Sequence, residues 1–489
     1  MASQVAAALC LAALGQGPAT LVCALLAAAA LVAAAWVRLN RRWLYQWLAV
    51  AVRFATRRRT LAAGADLLGW VSPGARLGTA ECDGQRAGVI EDGQGYTVLV
   101  EMDDPGTVPP AGPGIAWRLV VAGFPAAGSG VPAASYRQLT GGRVLAGHRA
   151  VLAARAPDPV TVRAWLRRSG RLALTASEAS AVLADLAHHD GARGARERWA
   201  GVHLGGLVQA TFEVTGADVA RLLALPASVT VAVGTDHATV RLAAPDPAAL
   251  ATAVRALHRL ATATRRDGDH RHGLAATLPI GGDHSGPPSA VHIGLSGLVL
   301  GVDRRGDPVV AQAFRPRPTR ILLVGGPRTA QRLTMRAMAL GAHVVVRGSR
   351  PAAWEPFARW ACGPGEHLPL LAAHEPVPRR GRPLLVVEDG GPAGGDAPAE
   401  PWHTALVVRD ELTPAVADSM AEMDLVILPP LAPGEAALAA AALGLTEAGE
   451  WFARIHGGMV AVVERRRVRW ALLSGTDLED HLLGPPGRG

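Results

Sequence analysis

The chain has 489 residues, and 49 of them are basic against 41 acidic; every one of those 49 is an arginine, because lysine is absent. That absence excludes a P-loop lysine, a kinase strand lysine and a Schiff-base amine, since a guanidinium stays protonated and planar. The four cysteines, Cys10, Cys23, Cys82 and Cys362, are too scattered for a disulfide scaffold or a CxxC metal site. The net charge of +8 gathers mainly beside one apolar stretch rather than along a nucleic-acid face.

Ser3–Leu14 and Ala19–Val37 are apolar runs separated by Gly15, Gln16, Gly17 and Pro18, and none of the first 37 residues is charged. The second run approaches the ~20 residues that cross a bilayer. A secretory signal peptide would need a basic amino end. The expectation is a two-helix transmembrane hairpin over 1–39, with a short, alanine-rich first helix. Arg38, Arg41 and Arg42 stand among Trp36, Trp43, Tyr45 and Trp47, the pairing of interfacial aromatics with cytosolic arginines. This predicts a multi-pass protein of the inner (plasma) membrane with the bulk of the chain cytosolic. Over 40–60, Leu44, Trp47, Leu48, Ala51 and Val52 recur at helical spacing, and Arg53, Arg57, Arg58 and Arg59 follow. The spacing predicts a basic amphipathic juxtamembrane helix on anionic lipid. The plainer reading is an amphipathic helix packed on the body.

The remaining ~430 residues are enough for two or three cytosolic units. Over 61–135, Arg76–Asp103 alternates around the turn signals Asp83-Gly84 and Asp92-Gly93-Gln94-Gly95, which predicts a three-stranded meander. Pro105–Pro132 is rich in Pro and Gly and reads as loop or linker. Over 136–289, His148–Arg155 and Gly201–Thr215 read as strands, Ala176–Arg198 and Pro247–Arg266 as helices, and Ser228–Leu242 as a hairpin turning at Gly234. Together they predict an α+β domain. Over 290–480, a strand pair (Ala290–Val302 and Val309–Phe314) precedes Ile321–Val346, whose apolar strand, Gly-Gly turn, amphipathic helix and second strand start an α/β sheet. Leu384–Val387, Ala405–Val408 and Asp424–Leu428 add buried strands; 481–489 is a tail.

Two segments carry candidate chemistry. Arg265–Pro288 gathers Asp267, Asp269, His270, His272, Asp283 and His284, with Asp267-Gly268-Asp269 matching a DxD metal pattern. It mixes carboxylates and imidazoles at no recognised spacing, so the expectation is a solvated loop and no metal. His188-His189 end a helix, where an imidazolium suits the dipole. Gly325-Gly326 could turn amides toward a phosphate, but GxGxxG and GK[ST] are missing and Pro327 removes an amide. Glu388-Asp389 end a strand as a Walker B pair would. No cofactor and no catalytic residue is assigned.

RRWLYQWLAVAVRFATRRR, GVIEDGQGYTVLVEM, HLGGLVQATFEVTG and ILLVGG...RLTMRAMALGAHVVVRGSRPAAWEPF, in this order, resemble EccE, a membrane subunit of the actinobacterial type VII (ESX) secretion apparatus. The resemblance covers nearly the whole chain. It implies two transmembrane helices, a cytosolic α/β body without established activity, and a place in a hetero-oligomer beside EccB, EccC and EccD. The expected function is structural, with Arg38, Arg41, Arg42, Trp43, Tyr45, Trp47, Arg53, Arg57, Arg58 and Arg59 as the membrane and partner interface. The alternative is a membrane-anchored nucleotide-sugar transferase, or nucleotide-binding protein, with Asp267 and Asp269 holding a metal in a cleft.

Overall fold

The computed structural model describes residues 17–484, apart from 40–41, 83–84, 103–104, 111, 142–144, 235–236, 282–290, 316, 364–366, 373–374, 376–382, 391–399, 401, 446–447 and 465–466. Positions 4, 8, 11 and 12 are described before them. Helix α1 (Pro18–Trp36) leads through the two-residue strands β1 (Arg38–Leu39) and β2 (Arg42–Trp43), which pair antiparallel, into α2 (Leu44–Thr56).

Among the described residues no helix is long and apolar enough to cross a membrane. This overturns the transmembrane hairpin, and with it the multi-pass inner-membrane location. Alanine explains the difference: nine of the 19 residues of α1 are alanine. It is the best helix former but brings only one methyl group to an apolar environment. At 1.5 Å per residue the helix also reaches only about 28 Å. The first apolar run lies almost wholly outside the described residues, as do Gly15 and Gln16 of the turn.

The next elements are β3 (Thr60–Leu61), α3 (Leu67–Val71), β4 (Arg76–Cys82), β5 (Gln85–Asp92), β6 (Gly95–Met102), β7 (Ala116–Pro125), α4 (Gly130–Thr140) and β8 (Leu145–Ala156). After α5 (Pro159–Ser169) and α6 (Ala176–Ala187) come β9 (Ala195–Arg198), β10 (Gly201–Leu204), β11 (Leu207–Thr215), α7 (Val219–Leu223), β12 (Ser228–Val233), β13 (Ala238–Ala244), α8 (Pro247–Leu260), β14 (Thr262–Arg265) and α9 (His270–Ala276). The strands join one antiparallel sheet of 12 in the order β3-β9-β10-β11-β13-β12-β7-β8-β6-β5-β4, with β14 also on β11.

The meander therefore continues directly into the middle strands. Its neighbour β7 falls in the stretch expected to be a linker. Leu119 and Val121 of β7 face one core, and Val120 and Ala122 the other. A strand buried on both faces loses the period-two alternation that marks a half-buried one. The ends of the strand path, β3 and β4, are separated by only 14 residues that include α3. Laid flat, ten strand steps of about 4.8 Å would need about 48 Å, the full reach of a straight 14-residue chain. The sheet therefore curls, and Leu183 of α6, Leu68 of α3 and Leu274 of α9 share the core on the face of Val120 and Ala122.

The second sheet contains β15 (Leu298–Val302), β16 (Pro308–Ala311), β17 (Thr319–Val324), α10 (Pro327–Ala339), β18 (His343–Gly348), α11 (Pro351–Ala361), β19 (Leu370–Ala372), β20 (Leu384–Asp389), β21 (His403–Arg409), α12 (Pro414–Ser419), β22 (Leu425–Leu428), α13 (Pro433–Ala442), α14 (Gly449–Ala453), β23 (Met459–Glu464), β24 (Arg467–Leu472) and α15 (Asp477–Leu483). Its order is β16-β15-β24-β23-β22-β17-β21-β20-β18-β19, parallel from β22 to β19 and antiparallel elsewhere.

Helix α4 bridges the two sheets. The Gly128 amide donates to Ala339 O of α10 (3.2 Å), and a Cβ at Gly128 would lie 2.3 Å from Met338 O, so glycine is required at this approach. The Tyr136 hydroxyl donates to Gly297 O (2.9 Å) and accepts from the Val299 amide (3.0 Å), and burial pushes its pKa up to about 12.

Candidate functional site

Helix α2, flanked by arginines on both sides, is fastened to the first sheet. The Trp43 amide donates to Gln46 Oε1 (3.0 Å) at its start, and the backbone turns extended at Arg57 to end it. The chain then pairs with β9: Glu197 donates its amide to Arg59 O (2.8 Å), and Thr60 and Leu61 sit opposite Arg196 and Ala195. That register brings Arg57 to Glu197. Its Nη2 reaches Glu197 Oε1 (2.5 Å) and Gly268 O (2.8 Å), and its Nη1 reaches Asp269 Oδ1 (3.0 Å) and His272 Nδ1 (3.1 Å). The Glu197 side chain is fully buried, and its Oε1 also accepts the Arg271 amide (2.8 Å).

Aromatic packing completes the attachment. Trp47 and Phe54 pack on Trp199, with ring centroids 6.1 Å and 5.4 Å away, and Val50 is buried between them. Gly268 lets the helix this close, since a Cβ there would stand 2.6 Å from the Trp199 ring and 2.8 Å from Val50. The stripe in contact with the body is thus Trp47, Val50, Phe54 and Arg57. Tyr45, Leu48 and Val52 point to solvent, so of the apolar positions that suggested a lipid-facing stripe, Trp47 turns inward.

The other collar residues are spread out. Arg38 stacks over the Trp43 ring at 3.8 Å and Arg59 lies 4.9 Å from the Phe54 ring centre. Arg53 donates to Ala49 O within its own helix (3.3 Å). Arg58 accepts from Arg271 through its carbonyl (3.3 Å). Arg41 lies outside the described residues, and of Arg42 only the backbone is described.

Residues 265–281 of the Asp–His segment are described, and they carry helix α9 and a set of hydrogen bonds rather than the solvated loop expected. Asp269 leads into α9; burial opposes its charge, but hydrogen bonds from His272 and Arg57 outweigh that and hold its pKa at about 2. Asp267 is also burdened by burial and held low by His270 and Arg265, the latter at 2.6 Å. The His270 ring is buried and accepts the Thr211 amide at Nδ1 (3.3 Å). Among the described residues no group of three or more His, Cys, Asp or Glu could hold a metal; Asp283 and His284 lie outside them. Asp267 lines an open groove of about 670 Å³ between Trp47 of α2 and Val254, Thr262, Thr264 and Arg265. Asp269 is not part of that lining.

His188 is not the imidazolium expected at a helix end. It closes α6 in the left-handed region (φ 57°), and burial, with Arg241 beside it, depresses its pKa to about 3 although an edge of the residue stays exposed. Burial likewise lowers Arg241 to about 9.

At the carboxyl ends of the parallel strands, β17 lies between β21 and β22 and runs through Gly325-Gly326 into α10. Open α/β sheets bind ligands in such a place. Here Asp389 is buried and accepts from Arg350 and from Trp354 Nε1 (2.8 Å), Arg350 also holds Asp410 (2.6 Å), and Arg347 holds Glu388 (2.5 Å). The carboxylates that resembled a Walker B pair are engaged by the protein's own arginines. Sequence reasoning missed the buried set of Arg332, Arg336 and Glu479, with the partly exposed Asp480 at its edge, whose one local signal was two arginines four residues apart in an amphipathic helix.

No known protein family and no curated protein matches the chain. Among solved structures, the genome packaging NTPase B204 from Sulfolobus turreted icosahedral virus 2, in complex with AMPPCP, is similar over 32% of this chain and 98% of that one. The sequence identity is 9% and the TM-score 0.23, too low to carry an argument about fold or activity.

Proposed function

We propose that the chain is a non-catalytic structural subunit of a type VII (ESX) secretion assembly, a hetero-oligomer with EccB, EccC and EccD. The observation that supports this reading is the use made of the Asp–His segment. Its Asp269 is spent, with Glu197, in holding Arg57 and so in fixing the posture of α2. A transferase would need Asp267 and Asp269 to converge on one cleft; Asp269 faces the arginine instead. The strand-end carboxylates of the second sheet serve the same kind of internal bracing, so both acidic clusters contribute rigidity. A rigid body that exposes Tyr45 and Arg53 on this helix and Arg38, Arg58 and Arg59 beside it suits assembly, because Arg and Tyr are prominent in interface energetics.

The test is mild detergent extraction at native expression, followed by identification of the co-purifying chains. EccB, EccC or EccD should come with this chain in fixed proportion. Recovery of the chain alone would refute the reading.

A further inference from the structure

Helix α2 is apolar on two opposite faces. One is covered by Trp199 and the loop at Gly268. The other carries Tyr45, Leu48 and Val52, exposed by 52%, 53% and 61%. A helix apolar on both sides is normally enclosed on both. We propose that this outer stripe and the neighbouring groove form the docking site for an acidic amphipathic helix of a partner protein. The proposal rests on the structural-subunit reading and names the chemistry of one partner.

Charge and shape select that occupant. Residues 1–65 contain seven arginines, all between 38 and 59, and no acidic residue. Arg57 is neutralised inward, whereas Arg38, Arg53, Arg58 and Arg59 are exposed. Across the groove α8 presents exposed Arg255, His258 and Arg259. A partner lying between these two rims must carry negative charge along its flanks and apolar side chains between them.

The concavity decides against a flat surface. Trp47 forms one wall, and Leu48, the next residue, stands about 100° further round the helix on the solvent side, so groove and stripe adjoin. A volume of about 670 Å³ suits a few inserted side chains of a helix, in the manner of helix-in-groove recognition. The planar face of a bilayer would leave it unfilled. The polar lining residues His258, Thr262, Thr264, Arg265 and Asp267 match a peptide better than acyl chains.

The experiment uses the full chain and a fluorescent synthetic helix with leucines on one face and glutamates on the other, followed by anisotropy. Saturable binding that weakens with salt is expected, and it should fall about tenfold or more in Leu48→Glu/Val52→Glu and in Arg255→Glu/Arg259→Glu. These positions are exposed, so the melting temperature of each variant should match that of the parent chain. Vesicles of phosphatidylglycerol and phosphatidylethanolamine should not displace the peptide. The proposal is overturned if the peptide does not bind, if a lysine-faced peptide binds equally well, if neither variant weakens binding, or if the vesicles displace it, which would make the surface a lipid-facing one. Native extraction of Leu48→Glu/Val52→Glu separates this failure from the other. Partners retained in full by the variant would sink the docking site alone. Parent chain recovered without partners would sink the subunit reading.

Discussion

Arg336 and Glu479 form a two-point ion pair, Nε to Oε1 at 2.9 Å and Nη2 to Oε2 at 2.7 Å, with neither side chain reaching solvent. The same guanidinium donates to Val299 O, Leu300 O and Ser474 O, so it ties α10 to β15 and to the start of α15. Removing one partner leaves a buried charge uncompensated. Glu479→Ala should therefore lower unfolding stability by about 3–5 kcal/mol in urea titration. Glu450→Ala, which breaks the exposed pair with Arg454, should change it by no more than about 1 kcal/mol.

Arg57→Ala should detach α2 without unfolding the sheets. Amide hydrogen exchange should show residues 44–56 losing protection while β7 and β8 keep theirs, because local opening follows local contacts. Asp269→Ala should act in the same direction but less strongly, since Glu197, the more buried partner, would remain. Equal loss of protection across both sheets would contradict this account.

Two pH windows should be separable. The folded pKa of His188 lies near 3 against an ordinary 6.5, so the unfolded chain binds the extra proton between those values and stability falls as pH drops from 6.5 toward 3. Asp269 has a folded pKa near 2 against 3.8, so its contribution is complete above about pH 4 and is lost as pH falls through 2. His188→Asn should flatten the first slope while keeping the left-handed turn, which Asn tolerates. Asp269→Asn should flatten only the second. Unfolding free energies measured from pH 8 to 2 check both.

Tyr136→Phe removes the hydroxyl that satisfies Gly297 O and the Val299 amide between the sheets. Each buried group left unpaired costs about 1–3 kcal/mol. Thermal unfolding should show a loss of about 2–6 kcal/mol for the two groups, and differential scanning calorimetry should show the transition broadening as the sheets uncouple. A fall within about 0.5 kcal/mol would mean that water replaces the hydroxyl.

The second sheet was legible because its strands are short apolar runs, such as Ile321–Val324 and Leu384–Val387, set between helices of clear period. The meander was legible from its turns. By contrast, β7 lacked alternation, and β9 and β14 are four-residue strands appended to segments that read as helix throughout. The collar was found by composition, but its orientation was hidden. Arg57 meets Asp269 across 212 positions, a distance at which no local window can distinguish a lipid-facing helix from one locked to the body. The same separation made the Asp–His segment look solvated.

The curl of the first sheet sets an order of events when the chain folds. Strand β3 can pair with β9 only after β9, β10 and β11 have formed and the sheet has bent enough for a 14-residue connection to reach from edge to edge. Pairings this distant in sequence are slow because loop closure precedes their reward. The socket for Arg57 is built from residues 197, 268 and 269, all of which follow it by more than a hundred positions. During synthesis the collar thus emerges well before its socket, leaving an apolar helix flanked by arginines available to other molecules until residues 197, 268 and 269 are in place.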